Sequence, residues 1–415
     1  MVRVRTAMGE TILLRGARQL LTLRDSRGPR RGPALNELGI IPDGALLIRD
    51  GKILEAGPTR RVENLAAARR AHEINAAGRV VMPGFVDSYA HLVVPHTPVN
   101  QEMPGGEFWH AVNTIRATPA RRLELRAREI VAGMARHGTT TVEGRSGYGL
   151  DRTGELKILR VIERINHEPL DVVAAYFGAR FTPPESAGNA AAYIDWICSS
   201  FLPAIWRRKL ARFAVVNCAD GFDLNLARQY MERARKIGFR IKVDAGNDSA
   251  AAQLAVEQEA ASVAIDQVDS AVLPVLARSD TIATLLPASA YYRKLEPRPP
   301  ARALIDAGAA VAIASGFSPE WSPTYNMQMV VSLACSELAM TPAESVCAAT
   351  INAACALGLE QQTGSLEPGK RADLLLLNVQ DYREMSHFFA INHVHMTIKA
   401  GVPIYSEGGG AWARQ

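Results

Sequence analysis

Cysteines are few in this sequence, and none of them stands in a recognisable pair. The five cysteines, at positions 198, 218, 335, 347 and 355, are an odd number and never show the C-x-x-C spacing. A disulfide framework needs paired cysteines, and a zinc knuckle needs closely spaced ones. We therefore interpret all five as small buried apolar residues and exclude both classes.

Long apolar runs and aromatic-rich basic segments are also missing. The first apolar stretch, at positions 12–14, is interrupted at Arg15 and Arg18, so it is too short for a secretory signal. No run approaches the length of a membrane span. Basic groups such as the one at positions 207–209 are not interleaved with aromatic residues, as a nucleic-acid surface would require. We expect a cytoplasmic protein that binds neither membranes nor nucleic acid.

The length and composition favour a large globular protein. The chain has 415 residues, of which 48% are apolar and 21% are charged, and its formal net charge is +5. This composition is typical of a chain that buries a large core. The length exceeds that of an ordinary small domain and suits a barrel with an appended domain.

The middle of the chain alternates short apolar runs with helical stretches, which predicts an α/β fold. Eight strand–helix units in about 270 residues are the number expected of a (β/α)8 TIM-type barrel. The eight predicted strands are Val80–Val93, Thr139–Glu143, Val172–Phe177, Phe213–Cys218, Arg240–Val243, Ser262–Ile265, Thr281–Leu286 and Ala310–Ala314. Reactive groups in such a barrel lie where the strands end, so the residues at these ends are the candidates.

Both ends of the chain predict β-structure. The runs at positions 45–49 and 52–56 flank Asp50-Gly51, which is a strong hairpin signal. The segments at 372–378 and 394–399 also have the pattern of strands. We predict a composite β-sandwich domain built from residues 1–79 and 361–415, with the barrel over residues 80–360.

Several long motifs resemble the amidohydrolase superfamily. The segment PGFVD at 83–87 looks like its first barrel strand, and GTTTVEGRSGYGL at 138–150 is similar to the second-strand motif of imidazolonepropionases, with Arg145 in place of a lysine. Further matches lie at 299–308, 340–344, 349–354 and 364–374, so the resemblance runs from about Asp43 to Val402. It implies a metal-bearing barrel, a β-sandwich from both termini, a homodimer, and ring-opening hydrolysis of an imidazolone that carries a propionate arm.

The chain departs from this family at the positions that the resemblance implies for the metal. Such a hydrolase needs a divalent ion that polarises a carbonyl and activates water. Of the implied ligands only His91 is present. The substituted positions that should coordinate or flank the ion are Tyr89 in the first strand, Asp244 in the fifth, Gln267 in the sixth and Gly316 in the eighth. Asn247, after the fifth strand, stands where the resemblance implies the glutamate that acts as acid and base. We therefore expect no metal and no other cofactor, with the former metal cavity filled by hydrogen-bonded side chains.

A rebuilt metal site is the alternative that these residues leave open. Tyr89, His91 and Asp244 form a conceivable set for ferric iron but a poor one for zinc, because a phenol with a pKa of ~10 must first ionise. The chain would then be a metal-dependent C–N hydrolase with an unusual ligand set.

The remaining polar residues predict a site for a small anionic compound. Tyr148 matches a substrate-contacting tyrosine of the family, although simple loop packing would also explain it. Arg145 and Arg180 suit a carboxylate or phosphate ligand. They could equally form buried ion pairs with Asp244 or Asp266.

Tyr89 and Gln267 complete the predicted substrate-binding set. If the protein is catalytic, we expect Asp244 to act as general base and Tyr148 or His91 as acid, on a cyclic amide or another C–N bond. Arg180 would then stabilise negative charge. A non-catalytic protein that binds a ligand or a partner is the third reading.

Overall fold

The fold is described from a computed structural model, which covers residues 11–24, 28–95 and 106–408. Its strands are β1 (Thr11–Leu21), β2 (Ile40–Arg49), β3 (Lys52–Pro58), β4 (His72–Asn75), β5 (Val80–Pro83), β6 (Phe85–Ala90), β7 (Thr139–Arg145), β8 (Asp171–Ala179), β9 (Phe213–Asn217), β10 (Arg240–Gly246), β11 (Ser262–Ile265), β12 (Ile282–Leu285), β13 (Val311–Ile313), β14 (Leu374–Leu377), β15 (Val394–Lys399) and β16 (Val402–Ser406).

A helix follows each strand from β6 to β13, and further helices lie elsewhere in the described chain. They are α1 (Thr59–Val62), α2 (Gly106–Ala117), α3 (Ala120–Arg136), α4 (Arg152–Ile165), α5 (Ala190–Trp196), α6 (Leu202–Arg207), α7 (Leu224–Ile237), α8 (Ser249–Glu257), α9 (Leu273–Ala277), α10 (Pro287–Tyr292), α11 (Ala301–Asp306), α12 (Met327–Leu338), α13 (Pro342–Ala348), α14 (Ile351–Leu357) and α15 (Glu384–His387). In the described part of the chain, no helix is both long and apolar enough to cross a membrane.

Strands β6 to β13 form the barrel, each pairing with the next in chain order. The gap between β13 and β6 is bridged just beyond their ends. There the amide of His91 donates to the carbonyl of Phe317 at 2.8 Å, and the amide of Gly316 donates to the carbonyl of Tyr89 at 3.0 Å. Each of the eight runs that the sequence predicts overlaps a barrel strand, so the (β/α)8 prediction is confirmed. All eight carboxyl ends therefore meet at one mouth.

Helix α7 shows how the local sequence sets the position of a strand that carries a site residue. Its buried residues recur at helical spacing, Ala227, Tyr230, Met231 and Ala234, so one face packs on the barrel. The helix ends at Gly238, whose φ of 119° lies in the left-handed region that favours glycine. Strand β10 begins two residues later and leads to Asp244.

The terminal strands form one mixed sheet in the order β16-β15-β14-β5-β1-β2-β3, with β4 beside β1. Strand β14 from the C-terminal part pairs with β5 from the N-terminal part, so the prediction that both ends build one domain is confirmed. The sheet curls back on itself. The amide of Ile53, in the last strand β3, donates at 2.9 Å to the carbonyl of Lys370, just before the β14 strand. Apolar side chains from both ends, such as Leu14 and Leu376, share the enclosed core.

One predicted strand is wrong. The run Val80–Val93 forms two strands, which Gly84 separates. A Cβ at Gly84 would lie 2.3 Å from the side chain of Thr140, so only glycine allows the close approach at this corner. Strand β5 belongs to the terminal sheet and β6 to the barrel, so the terminal sheet continues past residue 79.

Candidate active site

The polar residues at the barrel mouth lie at alternate positions of three strands. Alternate residues of a strand share one face. Asp87 and Tyr89 therefore project together from β6, with His91 just beyond. By the same rule, Glu143 and Arg145 project from β7, and Lys242 and Asp244 project from β10. All seven side chains meet inside the barrel, where they are buried or nearly so.

Asp244 has a partner on each carboxylate oxygen. The hydroxyl of Tyr89 donates to Oδ2 at 2.6 Å, and Nη1 of Arg145 donates to Oδ1 at 2.8 Å. Burial and the nearby Asp244 raise the pKa of Tyr89 far above its ordinary value, so the phenol stays protonated and remains a donor.

Arg145 links Asp244 to a chain of alternating charges. Its Nε donates to Glu143 at 2.5 Å, and Glu143 also accepts from Lys242. The guanidinium lies 3.4 Å from the centroid of the Tyr89 ring and is only 2% exposed. Although burial opposes its charge, Glu143 and Asp244 keep the pKa of Arg145 above its usual range. Burial lowers the pKa of Lys242 to about 8. The charges of these two cations and two anions sum to zero, which makes their burial possible.

The sequence predicts that Arg145 or Arg180 contacts Asp244, and the structure assigns this contact to Arg145 alone. Arg180 forms no ion pair with Asp244 or Asp266 among the described residues. The carboxylate of Asp266 instead accepts from Arg293 at 2.9 Å. The reason is direction: Arg145 is the last residue of β7 and points into the barrel, whereas Arg180 lies beyond β8 among aromatic rings.

A second buried carboxylate, Asp87, holds the turn after β13. Its Oδ1 accepts from the amide of Ser315 at 3.0 Å, and its Oδ2 accepts from the Ser315 hydroxyl at 2.5 Å. Burial raises the pKa of Asp87 to about 6, although these hydrogen bonds oppose the shift. The next residue, Gly316, has a φ of 62° and carries no side chain.

The residues present do not fit the metal that the family resemblance implies. Each oxygen of Asp244 already accepts a hydrogen bond, and the Arg145 cation beside them would repel a metal cation. Gly316 offers no donor, and the Tyr89 hydroxyl is engaged with Asp244. His91 remains, but one histidine is not a ligand set. Over the described residues, no group of three histidine, cysteine, aspartate or glutamate side chains is arranged to hold an ion.

Two buried polar side chains on the cavity wall have no hydrogen-bond partner within the described ranges. They are His91, through both ring nitrogens, and Arg180, through all three guanidinium nitrogens. Each is 1% exposed. Burial and the cations Arg180 and Arg145 lower the pKa of His91 well below its ordinary value, so the imidazole is neutral. Buried polar groups are normally paired, and these two face a cavity.

Aromatic rings surround the guanidinium of Arg180. Its Cζ lies 4.6 Å from the centroids of Phe108 and Tyr148 and 4.9 Å from that of Trp321. Such contacts stabilise the cation, but an aromatic ring is not a conventional hydrogen-bond acceptor for the guanidinium N–H groups. The charge of Arg180 is therefore held in place without being neutralised by contact.

Tyr148 lies behind Arg180 and His91 rather than on the cavity wall. Its hydroxyl donates to Glu320 at 2.5 Å, and its ring packs edge-on against His91. Glu155 fixes the loop, because its Oε1 accepts from the amides of residues 147, 149 and 150 at 3.1, 2.8 and 3.1 Å. Contact between Tyr148 and a ligand stays a prediction, and the structure shows the packing role directly.

Gln267 points away from the cavity. Its Nε2 donates to the carbonyls of Pro297 and Arg298 at 2.8 and 2.7 Å, and it does not line the cavity wall. Its contribution to ligand binding thus lacks support from the geometry. Asn247 lies in a neighbouring surface depression with Asp248 rather than in the main cavity.

The cavity at the barrel mouth has a volume of about 170 Å³ and opens at the carboxyl ends of the strands. Its wall includes Tyr89, His91, Phe177, Arg180, Asn217, Asp220, Asp244, Asp266, Leu286, Arg293, Gly316 and Trp321. Five of the predicted site residues are thus brought together around one space: Tyr89, His91, Arg145, Arg180 and Asp244. Arg145 lies directly behind Asp244.

Sequence reasoning missed Glu143, Lys242, Glu155 and Glu320. A signal for the first two was present, because a lysine within the apolar strand Arg240–Gly246 shares a face with Asp244. A charge in such a position needs a buried partner of opposite sign. Glu320 gave no such signal, since its contact with Tyr148 joins two distant loops.

Comparison with known proteins agrees with this architecture. Residues 80–404 match the model of the Amidohydrolase family. The imidazolonepropionase of Solibacter usitatus is 38% identical, over 96% of this chain and 99% of that protein. The imidazolonepropionase of Parabacteroides distasonis is 36% identical, over 94% and 98%.

Solved structures with low sequence identity share the fold. A mutant of atrazine chlorohydrolase from Arthrobacter aurescens TC1 superposes with a TM-score of 0.77 at 18% identity, over 97% of both chains. A molinate hydrolase superposes with a TM-score of 0.68 at 16% identity, over 99% of both chains. The chain therefore belongs to the amidohydrolase family and is imidazolonepropionase-like over nearly its whole length.

Proposed function

We propose that this chain binds a small anionic compound with a heterocyclic body in the barrel cavity, and that it does so without a resident metal ion. The observation that carries this proposal is Arg180, a guanidinium on the cavity wall whose three nitrogens have no hydrogen-bond partner among the residues that the structure describes. An unpaired buried charge is costly. A carboxylate would accept charge-assisted hydrogen bonds from it, and these are stronger than neutral ones.

The rest of the wall suits a flat, mostly apolar body. Phe177, Leu286 and the ring of Tyr89 supply apolar surface, and the cavity has room for one small molecule. Neutral His91 can donate or accept one hydrogen bond to a ring heteroatom. A compound with a carboxylate arm and a heterocycle would satisfy both orphaned groups.

We propose hydrolysis of a C–N bond in a cyclic amide as the reaction of this cavity, without metal. Asp244 opens on the cavity, and its carboxylate can take a proton from a water that adds to the amide carbon. The protonated Asp244 can then return that proton to the leaving nitrogen. The lowered pKa of His91 leaves the ring without an imidazolium proton to give at neutral pH, and the raised pKa of Tyr148 makes its phenol a weaker acid, which supports this use of Asp244.

Binding is tested with a matched set of small probes. Propionate and its neutral amide, propionamide, are titrated by calorimetry against the parent and Arg180→Met. We expect propionate to bind the parent, and Arg180→Met to lose that binding. Arg228→Met, which removes a surface guanidinium paired with Glu257, is the control and should bind like the parent. Equal affinity of the parent for propionate and propionamide would contradict the proposal.

Catalysis is tested separately with protein treated with chelator. Turnover of a carboxylate-bearing cyclic amide that survives chelation and is lost in Asp244→Asn supports the metal-free reaction. Turnover that requires added metal supports a metal-dependent hydrolase instead. Probe binding without turnover by either preparation would leave a ligand-binding protein. Imidazolonepropionate is included as a substrate, and we expect no ordinary enzymatic rate, because neither a metal-bound hydroxide nor a base at position 247 is provided.

A further inference from the structure

Arg180 is the one guanidinium on the cavity wall, among the described residues, that touches no carboxylate. Arg293 is paired with Asp266, and Arg145 behind the wall is paired with Asp244 and Glu143. The charge that a ligand meets at Arg180 is therefore a single positive charge.

A carboxylate nevertheless stands close behind this guanidinium. Glu320 accepts the hydroxyl hydrogen of Tyr148 at 2.5 Å, and the face of the Tyr148 ring lies 4.6 Å from the Cζ of Arg180. The neighbouring residue, Trp321, packs on the same guanidinium from the cavity side. The loop after β13 thus brings both a negative charge and an aromatic ring to Arg180.

Tyr148 keeps the two charges apart. Glu320 makes no ion pair with Arg180, and its hydrogen bond with Tyr148 fixes the carboxylate on the far side of the ring. The ring itself cannot shift easily, because it is fully buried and its loop is held through Glu155. Glu320 therefore acts on Arg180 through space, with its charge half-buried and weakly screened.

We infer that Glu320 determines which anions the cavity accepts: it selects compounds with one negative charge and rejects those with two. This inference rests on the proposed function, since it concerns the same site. One ligand carboxylate neutralises Arg180 and tolerates the repulsion from Glu320. A second negative charge finds no free cation on the wall and is repelled by Glu320, Asp220 and Asp266. The ligand class is thus a monocarboxylate, and a dicarboxylate or a phosphate dianion is excluded.

The test compares Glu320→Gln with the parent on propionate, succinate and propionamide. The substitution keeps the acceptor for Tyr148 and removes only the charge. We expect propionate affinity to rise about tenfold and succinate affinity to rise more, since like charges on the order of 10 Å apart repel by roughly this amount at an effective dielectric constant of about 20. Propionamide affinity should stay constant. Glu337→Gln, which removes a charge paired with Arg298 elsewhere, is the matched control.

Tyr148→Phe provides a second, independent variant. Without its hydroxyl partner, Glu320 is free to approach Arg180 and compete with the ligand, so propionate affinity should fall in Tyr148→Phe. The same change should have no effect in the Glu320→Gln background, and a merely structural role of Tyr148 would not give this coupling.

The outcomes separate this inference from the proposed function. Equal responses of Glu320→Gln and Glu337→Gln to all three probes overturn the inference, while the proposed function stands if Arg180→Met still abolishes propionate binding. Propionate binding by the parent that strengthens in Glu320→Gln but not in Glu337→Gln, with a larger gain for succinate, supports the inference. Absence of binding by the parent and by Glu320→Gln overturns both.

Discussion

Replacing Arg145 by methionine tests the chain of charges that stands where the family resemblance implies a metal. Arg145 is 2% exposed and donates to both Glu143 and Asp244, at 2.5 and 2.8 Å. Methionine keeps the apolar volume and removes the cation. Glu143 retains Lys242 as a partner, whereas Asp244 retains only the hydroxyl of Tyr89. The variant therefore leaves a carboxylate nearly buried, with its side chain 13% exposed and without a counter-ion.

The expected loss follows from this geometry. Breaking a buried ion pair by removing one partner costs about 3–5 kcal/mol. The remaining hydrogen bond from Tyr89 and the slight exposure of Asp244 place the loss near the lower limit, at about 3 kcal/mol. Arg145→Lys should recover part of it, because one ammonium cannot reproduce the guanidinium fork between two carboxylates. Arg145→Met with Asp244→Asn should recover more, since no charge is then left unpaired.

The assay is urea denaturation of the parent and these variants at pH 7 and pH 4.5. In Arg145→Met the carboxylate of Asp244 loses its cation, so its negative charge costs more in the folded variant than in the unfolded chain. Lowering the pH neutralises carboxylates and so relieves this cost. The loss relative to the parent should therefore be smaller at pH 4.5 than at pH 7. Equal denaturation midpoints of Arg145→Met and the parent at pH 7 would refute the reasoning.

Three further outcomes are expected. Relative to the parent, Asp87→Asn should gain about 2 kcal/mol of stability between pH 4 and pH 7, measured by denaturation, because burial raises the folded pKa of Asp87 to about 6 and its ionisation therefore costs the parent more as the pH rises; a constant difference would argue against it. Arg180→Met should lose no more than about 1 kcal/mol, since the cation loses its aromatic contacts but has no hydrogen-bond partner to lose among the described residues. A loss of 3 kcal/mol would instead reveal a buried partner. Glu155→Ala should lower stability by about 2 kcal/mol and disturb the Tyr148 loop, seen as amide exchange at residues 147–150, because it orphans three backbone donors; unchanged exchange would contradict this.

The barrel could be predicted because each of its strands has its own local signal. An apolar run such as Phe213–Asn217 followed by an amphipathic helix such as α7 identifies a strand–helix unit without any long-range information. The break within Val80–Val93 could not be predicted in this way. It depends on Thr140 from another strand, which leaves no room for a side chain at Gly84.

The sequence predicted which residues lie around the cavity better than it predicted which of them contact each other. Strand-end positions placed His91, Arg180 and Asp244 around one mouth, as the structure does. Which arginine meets Asp244 depends on whether the strand is still extended at that residue, and β7 continues to Arg145 whereas β8 ends before Arg180. The role of Glu320 depends on a contact between two loops, for which periodicity carries no information.

The metal content of the purified protein tests most directly whether the barrel cavity holds a resident metal ion. Protein expressed and purified without added metal or chelator is analysed for zinc, iron and manganese by elemental mass spectrometry, with His91→Ala prepared in parallel. We expect well under one equivalent of any of these metals in both proteins, because Arg145 and Tyr89 donate hydrogen bonds to the two oxygens of Asp244 and Gly316 provides no ligand. Nearly one equivalent in the parent that is lost in His91→Ala would contradict it.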